Sequence, residues 1–549
     1  MPLDMLITGR IATLAGDSGF GWVEAIGIRG GRVAFAGSEV DLETRADPFT
    51  ERIALEPGEI AIPGITDAHL HLAGAAAARS HIDLTDAATL DEGLARIATA
   101  HAAATDPGAW LEGHGWDADR WGGWPTAAAL ETVAPGRRGA FWAHDHHALL
   151  GSRAALAAAG IDRATDDPPG GVIGRDPAGD PDGMLYEAAT RRVIVLIPQM
   201  SIERLAAAIA TVSQDLLALG VVAAHDPGGA TPDPDLGWAY PAYAHLSERG
   251  SLPIRVLASI RDDGLATALA GGLRSGDVLG ADPRGRARVG WQKCFADGSL
   301  GSRTAALLAD IEPEEDRPLA EELRRGVWIT QPEALSELVD RAATGGIATQ
   351  IHAIGDAAVH AALDALTPTA RQVPFMPKVE HVQLLDPADL GRFAAGGIVA
   401  SVQPAHLRSD AIQARRLWGE RAERNGYTWR SIAASGAVIA FGTDAPVEPF
   451  DPWPGIALAV RREDGRWPTG TAPFGPDEAL TLDRALRAAC VDPALSAREL
   501  DRGRLTVGQH ADVVVIPAAA VDDRVEPGGA LATVRPSIVL LDGRVVFQR

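Results

Sequence analysis

Lysine is nearly absent from this chain of 549 residues. Only Lys293 and Lys378 occur, so 48 of the 50 basic residues are arginine. A chain rich in Ala, Gly and Arg indicates a GC-rich genome, under which arginine readily replaces surface lysine. A lysine that persists under that bias is a candidate for amine chemistry, which the guanidinium of arginine does not supply.

Other absences exclude whole classes of protein. Only Cys294 and Cys490 occur, which rules out a disulfide framework and fits a reducing compartment. The net charge of −23 disfavours nucleic acid and anionic membrane as partners. We find no apolar run of about 18 residues and no basic segment followed by an apolar one at the start. The sequence therefore predicts a soluble, cytoplasmic protein.

The two ends of the chain resemble each other. Residues 26–37 and 538–549 each read as an apolar strand, a tight turn and a second apolar strand. Further strand-like runs flank them at 5–16 and 510–517. We predict one small β-sandwich domain built from both termini, residues 1–58 plus 501–549, with a larger domain at 59–500.

The larger domain alternates short apolar runs with helical patterns such as 332–345 and 387–396. This alternation is typical of a parallel α/β fold, and eight strands predict a (β/α)₈ TIM-like barrel. The candidate strands are 61–69, 220–226, 253–259, 288–298, 346–356, 378–384, 397–404 and 437–446. A barrel needs about 250 residues, so we predict a large insertion after the first barrel strand, at about 73–215, that roofs the active-site face.

Polar side chains interrupt the ends of these strands, where a barrel carries its catalytic groups. His69 and His71 point to the same side of an extended segment, so two imidazoles converge as metal ligands do. Each such residue alone is also explained as a hydrogen-bonded rim residue. Five strand ends with ligand-type side chains together indicate a metal, the later ones carrying Lys293, His352, His381 and Asp444.

The string of motifs resembles the amidohydrolase superfamily, specifically its amidohydrolase-3 or YtcJ-like branch, which includes N-substituted formamide deformylases. The resemblance covers nearly the whole chain. It is carried by GITDAHLH, KCFADGSLGSRTAAL, QIHAIGD, VEHVQ, FGTDAPV, EGHGWD at 112–117, the stretch from Asp145 to Leu150 and GRLTVGQHADVVVI at 503–516. The chain departs from the branch at His146, where glycine is frequent, and at Ser152, where asparagine is usual, so no relative's substrate is transferred to it.

The resemblance implies a metal centre. His69, His71 and Asp444 would bind one divalent ion, most readily zinc, and His352 and His381 would bind a second. Lys293 would bridge the two ions as a carbamate derived from CO₂, an anionic ligand that arginine cannot form. Lys378 precedes a strand and is predicted to be an ordinary basic residue.

The implied reaction is hydrolysis of a C–N bond other than a peptide bond. The substrate would be an amide-like small molecule: an N-acyl or N-formyl amine, a urea, a carbamate or a cyclic amide. Asp444 would be metal ligand and general base, taking a proton from water and returning it to the leaving amine. Two alternatives stay open: a mononuclear deaminase or cyclic-amidine hydrolase of the same fold, which does not need Lys293, and a non-catalytic barrel scaffold.

Several further residues are assigned from the same motifs. Asp67 is predicted to orient an imidazole of the His69–His71 pair. The predicted substrate-binding residues are Trp116, Asp117, His147, Gln403 and His406. The tryptophans near 110–124, with Trp142, indicate either a pocket wall, which would favour a hydrophobic or aromatic substrate group, or the core of the insertion. His114, His144 and His225 are predicted rim or core residues, and His81 has no assigned role. A homodimer is compatible with the sequence, which does not itself specify an oligomeric state.

Overall fold

A computed structural model of the chain describes residues 3–229, 232–282, 284–313, 323–521 and 529–549. Strands and helices are numbered along the chain. The strands are β1 Met5–Ala12, β2 Trp22–Arg29, β3 Arg32–Gly37, β4 Glu51–Ala54, β5 Glu59–Pro63, β6 Ile65–Asp67, β7 Ile82–Asp83, β8 Leu111–Trp116, β9 Gly139–Ala143, β10 Ala148–Gly151, β11 Gly171–Arg175, β12 Pro181–Glu187, β13 Val221–Asp226, β14 Arg255–Arg261, β15 Ala287–Phe295, β16 Thr349–Ala353, β17 Lys378–His381, β18 Val399–Val402, β19 Ile439–Phe441, β20 Val513–Pro517, β21 Ile538–Leu541 and β22 Arg544–Gln548.

The α-helices surround these strands and connect many of them. They are α1 Glu39–Glu43, α2 Leu72–Ala78, α3 Leu90–Ala103, α4 Ala127–Val133, α5 Arg153–Ala158, α6 Arg191–Ile194, α7 Ile202–Ala218, α8 Ala239–Glu248, α9 Leu265–Ala270, α10 Pro332–Thr344, α11 Asp356–Leu366, α12 Leu390–Gly396, α13 His406–Trp418, α14 Glu420–Asn425, α15 Trp429–Ala434, α16 Pro452–Arg461 and α17 Leu482–Ser496. Within the described ranges, no helix is both long enough and apolar enough to span a membrane.

The centre of the molecule is an eight-stranded parallel sheet in the order β19-β18-β17-β16-β15-β14-β13-β6. The sheet is nearly closed, because the Ala68 N–H after β6 donates to the Phe441 carbonyl of β19 at 2.9 Å. Strands such as β18 are buried along their whole length, as expected where helices cover a parallel sheet. Each of the eight predicted strands overlaps one of these strands, which confirms the predicted barrel.

Both ends of the chain join one eight-stranded sheet. The order is β22-β21-β20-β5-β1-β2-β3, with β4 also paired to β1, and β5 runs antiparallel to β20. Gly64 then leads directly from β5 into the barrel, and a Cβ there would lie 2.5 Å from the Val222 side chain, so only glycine fits. Whether residues 1–58 plus 501–549 form a separate β-sandwich domain stays a prediction, and residues 1–2 and 522–528 of it lie outside the described residues.

The segment between β6 and β13 carries a third sheet, in the order β11-β12-β10-β9-β8-β7. It has a core of its own that includes Leu84, Trp116, Phe141, Leu150 and Met184. Residues in and after β8 and β9 reach the central cavity of the barrel. The boundaries predicted for the insertion, 73–215, stay a prediction, but this is the segment that supplies part of the cavity wall.

Candidate metal centre

The polar residues predicted at the strand ends face one cavity of 680 Å³. His69 and His71 follow β6, and Asp444 follows β19, the other edge of the nearly closed sheet. Lys293 lies near the end of β15, while His352 and His381 lie in β16 and β17. The barrel thus brings all six predicted ligand residues to the wall of the same cavity.

Asp444 lies at the centre of this group. Its Oδ1 is 3.3 Å from Nε2 of His69 and 3.2 Å from Nε2 of His71, while its Oδ2 is 3.2 Å from Nε2 of His406. Asp444 and His381 both have left-handed backbones, with φ of 60° and 77°. Such conformations are costly for residues other than glycine and concentrate at functional sites. The Asp444 N–H donates to the His69 carbonyl at 2.7 Å, which holds the turn in place.

The four histidines predicted as metal ligands share one feature. Each points one ring nitrogen at a protein oxygen that can only accept a hydrogen bond, so that nitrogen carries the proton and the other keeps its lone pair. This arrangement is typical of histidines that bind metal. The pairs are His69 Nδ1 with Glu380 (2.7 Å), His71 Nδ1 with the Gly228 carbonyl, His352 Nε2 with the Gly298 carbonyl (3.0 Å) and His381 Nδ1 with Gln403 (2.8 Å).

His406 has the opposite arrangement. The amide nitrogen of Gln383 donates to its Nδ1 at 3.1 Å. The proton of the neutral ring is therefore on Nε2, which faces Oδ2 of Asp444 at 3.2 Å. Although burial lowers the pKa of His406, the neighbouring Asp444 carboxylate raises it overall. Nε2 makes no hydrogen bond to any described residue, so its approach to Asp444 is a close contact.

The donor atoms of the centre fit a cation. Within the described part of the chain, His69 Nε2, Asp444 Oδ1 and Lys293 Nζ are buried and have no hydrogen-bond partner. The ligand atoms of His69, His71 and Asp444 lie within 4.8 Å of one another, and so do those of His381, His406 and Asp444. Buried polar atoms in proteins are almost always satisfied, so this concentration indicates a missing ligand.

Lys293 faces the same space. Its residue is 1% exposed and its Nζ lies 4.7 Å above the Phe295 ring. Burial lowers the pKa of Lys293 to about 8, although Glu380 and Asp444 act in the opposite direction. The neutral amine is therefore accessible near physiological pH.

Lys378 is not an ordinary basic residue, contrary to the prediction. It begins β17 with its side chain inside the barrel and is fully buried. Its Nζ donates to the Ala68 carbonyl and to His225 Nδ1, both at 3.0 Å, and lies 4.0 Å above the Trp291 ring. Burial lowers its pKa to about 8, although the charge of Glu380 raises it.

Glu380 connects Lys378 to the centre and is a residue that sequence reasoning missed. It is fully buried, with Oε1 3.9 Å from Lys378 Nζ and Oε2 on His69 Nδ1. Burial raises its pKa, but His69 and Lys378 outweigh this and lower it to about 2. The signal was present in the sequence, because Lys378 and Glu380 are two residues apart on an extended, apolar strand and so point to the same side.

Asp67 supports the centre through the backbone rather than through an imidazole. Its carboxylate accepts hydrogen bonds from the His69 N–H at 3.1 Å and from both the N–H and hydroxyl of Thr443. The imidazole of His69 is instead oriented by Glu380. Asp67 therefore joins the first and last barrel strands just beneath the ligand residues.

The predicted substrate-binding residues separate into two groups. His147 lines the cavity, with its Nδ1 2.8 Å from Glu187 and its ring 4.8 Å from the His352 ring. Gln403 accepts a hydrogen bond from Nδ1 of His381 at 2.8 Å. His406 lies beside Asp444, with Nε2 at 3.2 Å from Oδ2. Gln403 and His406 therefore both contact residues of the site.

Trp116 and Asp117 lie away from the cavity wall. Trp116 is 1% exposed, packs against Trp121 and Trp124, and donates its ring N–H to the Phe141 carbonyl. Asp117 accepts from the backbone N–H groups of the turn that follows it, at 2.8 and 3.2 Å. Their positions fit packing of the insertion.

Comparison with known proteins agrees with this geometry. The model of the amidohydrolase family matches residues 57–547. The chain belongs to the amidohydrolase family. The relatives of this amidohydrolase include the protein LONG AFTER FAR-RED 3 of Arabidopsis thaliana, 32% identical over 95% of this chain and 88% of the relative. The putative amidohydrolase YtcJ of Bacillus subtilis is 28% identical over 96% of both chains. The N-substituted formamide deformylase of Arthrobacter pascens is 26% identical over 99% of this chain and 98% of the relative.

Solved structures show the same fold. An uncharacterised metal-dependent hydrolase of Pyrococcus horikoshii superposes with a TM-score of 0.73 at 25% identity, covering 96% of this chain and 99% of that one. The amidohydrolase thus has metal-dependent hydrolases among its structural neighbours.

Proposed function

We propose that this amidohydrolase cleaves a C–N bond in an amide-like small molecule, with divalent metal bound at the candidate centre and Asp444 as general base. The observation that carries the proposal is the shared hydrogen-bonding state of His69, His71, His352 and His381. Each ring gives its N–H to the protein and keeps a lone pair on its other nitrogen.

The residues present fit two ions. His69, His71 and Asp444 would hold one, and His352 and His381 would hold the second. Imidazole and carboxylate ligands suit zinc. A divalent ion held by these residues would lower the pKa of water and polarise a substrate carbonyl. His406 is left out of this ligand set because Gln383 donates to its Nδ1, which puts the proton of the neutral ring on Nε2.

Lys293 would bridge the ions as a carbamate. Forming a carbamate requires a neutral primary amine with open space beside it, and the nitrogen of Lys293 is buried, lines the cavity and has no hydrogen-bond partner in the described residues. The lowered pKa of about 8 makes the neutral amine available. The alternative of a single ion does not use Lys293 and leaves this buried amine unexplained.

Asp444 would move the proton. Although burial raises the pKa of its carboxyl, the neighbouring His69 and His406 rings hold that pKa well below its usual range. The ionised carboxylate takes a proton from water on one oxygen and gives it to the leaving amine nitrogen. His406 Nε2 lies 3.2 Å from the other oxygen and would limit the rotation of the carboxylate.

The test is a metal count joined to a hydrolysis panel of N-formyl amines, N-acyl amines, ureas, carbamates and cyclic amides. N-formyl amines come first because one relative is an N-substituted formamide deformylase. We expect bound divalent metal and release of amine, and we expect Asp444→Asn to lower kcat on the order of 10³-fold. Asp389→Asn, at another buried aspartate whose partners are His360 and Arg392, is the matched control and should keep activity.

Other outcomes of this test would each indicate a different function. Protein that binds no metal after supplementation and hydrolyses none of the panel would be a non-catalytic scaffold. With amino-substituted heterocycles and cyclic amidines added to the panel, a single ion per chain with release of ammonia from the former would indicate a mononuclear deaminase, and ring opening of the latter a cyclic-amidine hydrolase.

A further inference from the structure

We infer that Trp142 and His146 form a binding surface on the cavity wall that selects substrates with a flat, hydrogen-bonding ring, such as a phenol or a heteroaromatic group. The inference rests on the proposed function and deepens it, because it names a part of the substrate beyond the bond that is cleaved. Both residues belong to the segment between the first two barrel strands, and both line the cavity.

The backbone at His146 is one that glycine adopts without cost. Its φ is 57°, in the turn after β9 where its N–H donates to the Ala143 carbonyl at 3.1 Å. Any side chain with a Cβ is disfavoured in this left-handed conformation. The advantage of histidine at this position is therefore its imidazole ring. The contacts of the ring show which groups it can bind.

The imidazole extends the aromatic wall. Its ring is nearly parallel to the Trp142 indole, at 9°, with 5.6 Å between centroids. His114 lies beside it at 6.3 Å. Nε2 of His146 and Nδ1 of His114 are buried and make no hydrogen bond to any described residue. The wall thus combines flat aromatic surface with polar atoms that can still form a bond.

The charge at this wall favours a neutral group. Burial, with the charges of His114 and His71, lowers the pKa of His146 to about 3, so the ring is neutral and offers one donor and one acceptor. Glu112 adds a carboxylate, 3.4 Å from His81. The arginines and the lysine of the cavity lining are Arg191, Arg204, Arg261 and Lys293. Although burial lowers the pKa of the neighbouring His144 and His147, Glu448 and Glu187 raise it to about 9, so each of these two cations already faces a carboxylate, at 3.3 and 2.8 Å. A substrate carboxylate would compete with those carboxylates, whereas a neutral group would not.

The surface lies near the reaction centre. Trp142 and His146 line the same cavity as His71 and Asp444. A ring bound against Trp142 would therefore share that cavity with the bond that is cleaved.

The experiment compares two molecules of similar size on the metal-loaded protein. Binding of para-hydroxybenzylamine and of cyclohexylmethylamine is measured by calorimetry, and hydrolysis of their N-formyl derivatives is measured as kcat/KM. The wild type should prefer the aromatic member of each pair by about tenfold, the combined effect of ring stacking and one hydrogen bond. His146→Gly removes the ring and relieves the backbone, and should abolish the preference in both assays.

Two further variants separate the ring from the backbone. His146→Asn keeps a residue that tolerates the left-handed conformation but removes the stacked ring, and it should also lose the preference. Arg498→Gly relieves a similar backbone, φ 53°, at an exposed position away from the cavity, and should retain it.

The outcomes distinguish this inference from the proposed function. A preference that persists in His146→Gly, or a wild type that binds both amines alike or neither, overturns the inference even if hydrolysis is intact. A preference in binding that depends on His146, with no hydrolysis of either formamide, supports the inference and counts against formamide hydrolysis.

Discussion

Two regions of the barrel each contain a buried lysine, and their surroundings are opposite. In the first, at the cavity rim, Lys293 faces His69, Asp444 and the other ligand residues, and its nitrogen has no hydrogen-bond partner in the described residues. In the second, the enclosed region formed by Lys378, His225, Trp291 and Glu380, the lysine nitrogen has two hydrogen bonds and a ring beneath it. Both amines have a pKa of about 8, mainly because of burial.

The difference shows that burial alone does not decide the role of a lysine, because the role also depends on whether its amine is hydrogen-bonded. A buried lysine with satisfied hydrogen bonds contributes to the fold and to the charge of its neighbours. A buried lysine without them destabilises the protein by itself, and such a group is retained where a ligand completes it. We therefore assign Lys293 to chemistry and Lys378 to the support of Glu380, and through Glu380 to the orientation of His69.

The largest expected effect is that of Lys293→Met on activity. Loss of the bridging group should remove one ion and lower kcat/KM on the order of 10²- to 10³-fold, because the charge stabilisation that an ion supplies is worth several kcal/mol. Metal content and amine release measure both effects. The smaller Lys293→Ala variant should recover part of the activity with acetate or formate, which can occupy the place of a carbamate.

Full activity and two bound ions in Lys293→Met would contradict the assignment. The same loss of activity in Lys378→Met, with metal content reduced equally, would remove the distinction between the two regions.

The second largest expected effect is a loss of stability, and we expect it in the Lys378→Met variant. Lys378→Met leaves the Ala68 carbonyl and His225 without their donor and Glu380 without a neighbouring positive charge, and breaking such a buried network costs about 3–5 kcal/mol. Urea unfolding of the metal-free proteins measures it. Lys293→Met is the matched control, since it removes a buried amine that has no hydrogen-bond partner in the described residues, and it should leave the metal-free protein as stable as the wild type or more stable. Equal destabilisation by both variants would refute the comparison.

The sequence allowed the rim to be predicted but not the enclosed region. Rim residues such as Asp444 interrupt apolar strands, and the barrel rule then places the ends of parallel strands on one face. The enclosed contacts join residues far apart in the chain: His69 and Glu380 are separated by 311 positions. Alternation along β17 indicates that Lys378 and Glu380 share a side, but it does not identify what faces them across the barrel.

Two details of the site could not be predicted from the sequence, because both depend on which side chains the fold packs together. The role of His406 depends on which ring nitrogen carries the proton, and that is decided by Gln383, whose side chain the fold brings beside it. Trp116 matched a family motif, but its indole finds better burial against Trp121 and Trp124 than on the cavity wall. A motif identifies the residue, whereas the packing around it decides where the side chain points.

The smallest expected effect is on the pH dependence of stability. A lysine has a pKa of about 10.5 when unfolded and about 8 at either buried position, so the unfolded chain binds more protons between pH 8 and 10.5. The free energy of unfolding contributed by each lysine therefore rises with pH in that window, by about 1–3 kcal/mol. The stability advantage of the metal-free wild type over Lys378→Met should increase as pH rises from 8 to 10.5. The wild type should gain stability relative to Lys293→Met by a similar amount over the same window, which narrows or reverses any advantage of that variant.

Adding metal and bicarbonate should then separate the two lysines. A carbamate on Lys293 carries no amine proton, whereas the unfolded lysine keeps its proton below pH 10.5, so the stability difference between wild type and Lys293→Met should now rise with pH below pH 8 as well. Lys378 is enclosed and its amine is already hydrogen-bonded, so its contribution should stay confined to the window from pH 8 to 10.5. A dependence confined to that window at both positions would place Lys293 with Lys378 as a structural amine, and one that extends below pH 8 at both would show that the enclosed region is open to CO₂.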